Sequence, residues 1–184
     1  MADPFRTGVD NNLTGQLLVA TPQLDGTRFA RTVVWMFEHT HHSGAQGLII
    51  NRASDVPVAT ALRTPEAADL SNQTIYLGGP VNARGIYLLH TPEWYSQNTQ
   101  LAGQYSVTSD SQMIERMSWM GEPIYWKMCV GCSSWSNEQL KDEIAQGLWL
   151  TAGATDQILF EQADDTMWMR AVEASAAQVF DCYI

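Results

Sequence analysis

The chain has 184 residues, the length of one ordinary domain. Its residues are 45% hydrophobic and include 7 Trp, enough to bury a sizeable core, which excludes an intrinsically disordered chain. Lys and Arg number 10 against 20 Asp and Glu; the net charge of −10 repels phosphate backbones and disfavours direct nucleic-acid binding.

Residues 1–12 are polar, with no periodic apolar pattern, and read as a flexible lead-in to a single domain over 13–184. They lack the charged-then-apolar layout of a secretory signal, and no apolar run approaches the roughly 18 residues of a membrane span. Three cysteines, Cys129, Cys132 and Cys182, are too few for a disulfide framework. A cytoplasmic protein without a membrane segment is the expectation.

Leu17 to Ala20 reads as the first strand, and Pro22 with Asp25-Gly26 marks a loop. Val33 to Phe37 is apolar without alternation, the pattern of a strand covered on both faces. Gly44 and Gly47 bracket the return to Leu48 to Ile50, so 38–46 is expected to connect a β-hairpin. A helix is expected from Asp55 or Pro57 to about Arg63, then strands at Ile75 to Leu77, Gly85 to His90 and Tyr105 to Ser109. Met113, Ile114, Met117 and Met120 recur at helical spacing, with Ser109 or Asp110 as the cap.

Ile124 to Val130 is another apolar strand. Ser136-Asn137-Glu138-Gln139 has the form of a capping box, and Leu140, Ile144 and Leu148 recur every four residues, which predicts a helix over 137–148. Ile158 to Phe160 is expected to be the last strand, followed by a helix capped by Asp164 or Asp165 that places Trp168, Ala171, Val172 and Ser175 on one face. There is no internal repeat and no regular βαβ alternation. The order indicates an α+β fold with a mostly antiparallel or mixed sheet.

Several short segments, taken together in order, resemble the AlgH/YqgE family of bacterial proteins: Leu17 to Pro22, Phe29 to Val34, Glu38-His39, Gly44 to Gly47 and Asn51-Arg52, then Leu77 to Val81, Gly85 to His90, Gly131 to Trp135, and Gln139-Leu140 through Glu143-Ile144 to Trp149-Leu150. The match runs from Leu13 to about Phe160. The resemblance implies an α+β domain whose bifurcated sheet folds into a partial barrel flanked by helices. It implies no established reaction, although one founding member is named for regulation of alginate production and a transcription-related role is often attached. The chain departs from the family pattern at Ala53, where proline often follows Asn-Arg, and at Cys132, where tyrosine is common.

Four groups of residues carry candidate chemistry. Arg31, Glu38, His39, Asn51 and His90 fall at strand ends and are expected beside Gly78-Gly79-Pro80, where they would bind an anion or polarise a carbonyl; alternatively, each satisfies a buried neighbour. The His39 to His42 run offers too few ligands at suitable spacing for a metal site and reads as an exposed, pH-sensitive loop. Cys129-Val130-Gly131-Cys132 is a C-x-x-C between a strand and a helix; it reads either as a redox pair or as two buried thiols.

Gln139 and Glu143 share a helical face, and with Trp135 and Trp149 they either line a groove or support two core tryptophans. The glycine pair lacks the lysine and spacing of a phosphate loop, and no cofactor motif is present. The leading expectation is a noncatalytic regulatory protein that binds a protein partner or small ligand. The alternatives are an enzyme using the strand-end cluster or the cysteine pair, and a direct or indirect transcriptional regulator.

Overall fold

A computed structural model describes residues 12–62, 64–70 and 73–181. The expected lead-in, up to residue 11, and Cys182 lie outside the described residues.

The strands are β1 (Gln16–Ala20), β2 (Val33–Thr40), β3 (Gly44–Ile49), β4 (Ala53–Pro57), β5 (Thr74–Leu77), β6 (Val81–His90), β7 (Gln100–Ala102), β8 (Tyr105–Thr108), β9 (Trp126–Trp135) and β10 (Trp149–Gly153). The helices are α1 (Val58–Leu62), α2 (Met113–Met120), α3 (Asn137–Ala145) and α4 (Asp164–Asp181). The fold is α+β, with a strongly curled, largely antiparallel sheet forming a half-barrel. Its path runs β10-β1-β2-β3-β9-β6-β8-β7.

The sheet forks at β9. Residues 133–135 pair antiparallel with β3, while 128–130 pair parallel with β5, which carries β4 on its far side. Both faces of β1 and of the first half of β2 are covered, so these strands read as unbroken apolar runs rather than alternating ones. Leu17, Val19, Trp35 and Leu48 face the barrel interior, which Leu159, Met167 and Ala171 close from the C-terminal segment. Leu18, Ala20, Val34 and Met36 face the opposite way, against Leu140 of α3. A third cluster joins Val58, Leu88, Met128, Met113 and Met117 under α1 and α2.

The half-barrel closes where the β7–β8 turn meets the residue before β1. A Cβ on Gly15 would lie 2.7 Å from the Gly103 Cα, so this approach requires glycine on both sides. Beside it, Gln100 Nε2 donates to the Phe37 carbonyl at 3.2 Å.

Several expected boundaries are corrected. The β2–β3 hairpin forms, but the strands extend to Thr40 and from Gly44, leaving only 41–43 as the connection. β9 runs through Cys132 to Trp135, so the C-x-x-C lies inside a strand rather than between strand and helix. α3 ends at Ala145, where Gly147 at φ 74° turns the chain into β10. Ile158 to Phe160 belongs to a short π-helical turn over Gln157–Glu161 instead of a strand. Met113 and Met117 are buried, but Met120 is 44% exposed. Asp110 accepts from Gln112 N at 2.9 Å, and the residue capping α2 makes no side-chain bond. Arg63, the expected end of α1, lies outside the described residues.

Candidate functional site

The strand-end residues do not converge. Arg31 and Asn51 share one corner: Asn51 Oδ1 accepts from Val33 N at 2.9 Å and its Nδ2 donates to the Arg31 carbonyl at 2.9 Å. The Arg31 guanidinium lies 5.5 Å from the Trp168 ring, tying this corner to α4. Glu38 and His39 sit at the other end of β2. There Glu38 accepts from Ser43 Oγ at 2.5 Å and Gln46 Nε2 at 3.3 Å, and His39 Nδ1 accepts from Leu13 N at 3.1 Å.

His90 is far from Gly79. β6 pairs Val81 with Cys132 and His90 with Trp126, so the two lie near opposite ends of a 10-residue strand. His90 is fully buried. Its Nδ1 lies 2.8 Å from the Thr91 carbonyl, which can only accept, so Nδ1 carries the proton. Nε2, 2.9 Å from Thr108 Oγ1, then accepts from that hydroxyl in the neutral ring. Burial pulls the His90 pKa below its ordinary value, and the Thr91 bond only partly offsets this.

Gly78-Gly79-Pro80 crosses β9 at Gly131 and Cys132. Gly131 has φ 72°, and a Cβ there would lie 2.4 Å from the Gly79 carbonyl oxygen. A Cβ on Gly79 would lie 2.3 Å from the Cys132 carbonyl carbon, so the backbone of β9 itself fills this turn. Both thiols face the interior, since the left-handed backbone at Gly131 interrupts the alternation between Cys129 and Cys132. Burial pushes the Cys129 thiol up to about 12. Burial also raises Cys132, although its bond with Tyr87 opposes the shift.

Trp135, Gln139, Glu143 and Trp149 do come together, as a clasp. Glu143 Oε2 accepts from both indoles, Trp135 Nε1 at 2.9 Å and Trp149 Nε1 at 2.7 Å, while Oε1 accepts from Gln139 Nε2 at 2.8 Å. Ser136 caps α3 through Gln139 N, but the Gln139 side chain turns to Glu143, so only half of the expected capping box forms. Phe29 packs on both tryptophan rings.

Lys127 carries chemistry that escaped the sequence reading. It is 5% exposed; its Nζ lies 2.9 Å from the Ile50 carbonyl, 3.3 Å from Asp164 Oδ1 and 4.3 Å from the centre of the Tyr76 ring. Tyr76 donates to Asp164 Oδ2 at 3.2 Å, completing a triad that fastens the first turn of α4 to the sheet. Burial lowers the Lys127 pKa and Asp164 opposes the shift, whereas burial and Asp164 together raise Tyr76.

Among the described residues, no group of three or more His, Cys, Asp or Glu could hold a metal ion, and no helix is long and apolar enough to cross a membrane. An open cleft of about 320 Å³ lies instead where β6 ends and β8 and β9 begin, lined by Thr91, Pro92, Glu93, Gln104, Tyr105, Ile124, Tyr125 and Asp156. Tyr105 donates to Asp156 Oδ1 at 2.8 Å, and Tyr125 donates to Glu161 Oε1 at 3.2 Å. The Tyr125 ring stacks on Phe160 at 5.5 Å and 12°, and Tyr105 meets the same ring edge-on at 5.8 Å. Ile124 at the rim is 73% exposed. No local pattern signals this cleft, because its lining comes from four separated segments.

The model of the AlgH-like family matches residues 17–179. A UPF0301 protein of Shewanella frigidimarina is 32% identical over 170 residues, covering 89% of this chain and 91% of its own. One from Ralstonia pickettii is 36% identical over 154 residues, covering 81% and 80%. The solution structure of the AlgH protein from Pseudomonas aeruginosa superposes with a TM-score of 0.74 at 26% identity, over 95% of this chain and 92% of that one.

Proposed function

The chain belongs to the AlgH-like family, and from that premise we propose that it is a noncatalytic regulatory protein of the cytoplasm that binds its ligand or partner in the Thr91–Asp156 cleft. The open cleft itself carries this reading: aromatic and carboxylate groups from four segments face one concavity with an exposed apolar rim residue. The residues with the greatest chemical potential are occupied elsewhere. Both ring nitrogens of His90 are bonded, both oxygens of Glu143 hold neighbours, and burial raises both thiols, which disfavours the nucleophilic thiolate. The formal net charge of −10 favours an indirect over a direct role at DNA.

Site-specific photocrosslinking in the native cell tests the proposal. A benzophenone side chain replacing Gln104, on the cleft wall, is expected to capture a discrete occupant, while one replacing the exposed Lys141 on α3 captures none. Equal capture at both positions, or none at Gln104, refutes the cleft as the binding site.

A further inference from the structure

We infer that the cleft recognises an organic cation, an alkylammonium or guanidinium head, an inference that rests on the cleft being the binding site. The direction of its hydrogen bonds carries the argument. Thr91 Oγ1 donates to Glu93 Oε1 at 2.8 Å, and Ile124 N donates to the same oxygen at 2.7 Å. Tyr125 N donates to Thr91 Oγ1 at 3.2 Å, and the two tyrosine hydroxyls donate to Asp156 and Glu161. These wall donors are therefore spent within the protein.

An incoming ligand meets acceptors and ring surfaces, with the Gln104 amide as the exception. A carboxylate has room for about four hydrogen bonds, so Glu93 and Asp156 retain acceptor capacity after these contacts. Among the described residues no Lys, Arg or His lines the cleft, and the chain's formal charge of −10 draws cations toward it. Phe160 stacks on the Tyr125 ring and braces it at the cleft wall, where a cation is attracted by the ring quadrupole, while the buried Tyr105 contributes by holding Asp156. An anion would face two carboxylates with almost no donors. A neutral apolar ligand would desolvate those carboxylates without bringing a counter-charge. The volume of about 320 Å³ holds a charged head and a short chain, not a large cofactor.

Titration of the isotope-labelled full chain at low salt, followed by amide NMR, tests the inference. Butylammonium and butylguanidinium are expected to give saturable shifts at Ile124, Tyr125 and Asp156, and butyrate none. Glu93→Gln and Asp156→Asn are each expected to weaken cation binding roughly fivefold, and added salt to weaken it further. Should Asp156→Asn fail to fold, Glu161→Gln at the exposed end of the same wall takes its place.

Equal shifts from butyrate, or unchanged cation affinity in the carboxylate variants, overturn the inference. Spermidine and a lysine-bearing tetrapeptide then distinguish a free amine from a protein side chain; tight binding by either supports the cation class, and binding by neither counts against it. Capture at Gln104 together with failure of every cation overturns the ligand class alone. Failure of both experiments overturns the binding reading as well.

Discussion

Removing the Glu143 carboxylate tests whether it is a buried fastener rather than a groove residue. Trp135 and Trp149 are each 3% exposed, and both indole N–H groups end on Glu143 Oε2. In Glu143→Ala each indole loses its acceptor inside the protein. A buried donor left unsatisfied costs about 1–3 kcal/mol; because Glu143 is only half-buried, water can reach one of the two, and the expected total is about 3 kcal/mol. For a domain of this size that corresponds to a melting temperature lower by roughly 9 °C.

Glu143→Gln keeps one carbonyl oxygen for the indoles and is expected to cost about 1 kcal/mol. Urea unfolding followed by tryptophan emission measures both. A double-mutant cycle with Trp149→Phe, which removes the donor and keeps most of the ring, should show a coupling of about 1 kcal/mol or more. If Glu143→Ala stays within about 0.5 kcal/mol of wild type, or the cycle is additive, the clasp contributes nothing to stability and Glu143 is free to serve a ligand.

His90 makes stability pH-dependent with a definite sign. Its folded pKa lies below the unfolded one, so on acidification through about 6.5 the unfolded chain takes up the proton first and stability falls. The urea midpoint of wild type should therefore drop from pH 7.5 to 5.5 more steeply than that of His90→Gln; parallel profiles would contradict the buried neutral ring. Gly131→Ala forces a side chain into φ 72° and against the Gly79 carbonyl, and should cost about 3 kcal/mol or more, seen as a lower melting temperature or insoluble expression. A near-native melting temperature would mean the crossing is looser than described. Cys129 and Cys132 should resist iodoacetamide at pH 7.5 in the native protein and react after unfolding, as mass spectrometry of peptides 126–135 would report. Rapid native modification of Cys132 would restore the redox reading of the pair.

Much of the fold is legible in the chain because local signals agree. Val33 to Phe37 and Leu48 to Ile50 flank a short glycine-bearing connection, and the hairpin follows. β10 is hidden because Trp149 and Leu150 lie next to the four-residue recurrence of Leu140, Ile144 and Leu148, so an apolar run that belongs to a strand looks like a helix end. Ile158 to Phe160 shows the reverse error: three apolar residues carry no period, and a π turn buries Ile158 and Leu159 as well as a strand would.

The candidate site divides in the same way. Trp135, Gln139, Glu143 and Trp149 meet because they lie within one strand–helix–strand unit. His90 and Gly79 separate because nothing local reports that β6 is long and pairs His90 with Trp126. Lys127 gives no warning, since a lysine within an apolar strand acquires its carboxylate from Asp164 and its aromatic face from Tyr76, both distant in sequence.

The position of β1 bears on how the chain is made. It lies between β2 and β10, and Gln16 pairs with Gly153, so one of its neighbours leaves the ribosome almost at once and the other only after all the intervening strands. In that interval Leu17 to Ala20 presents an open row of backbone donors and acceptors, a template for another nascent chain. A growing chain stalled before Trp149 would carry an adhesive edge that the finished protein conceals.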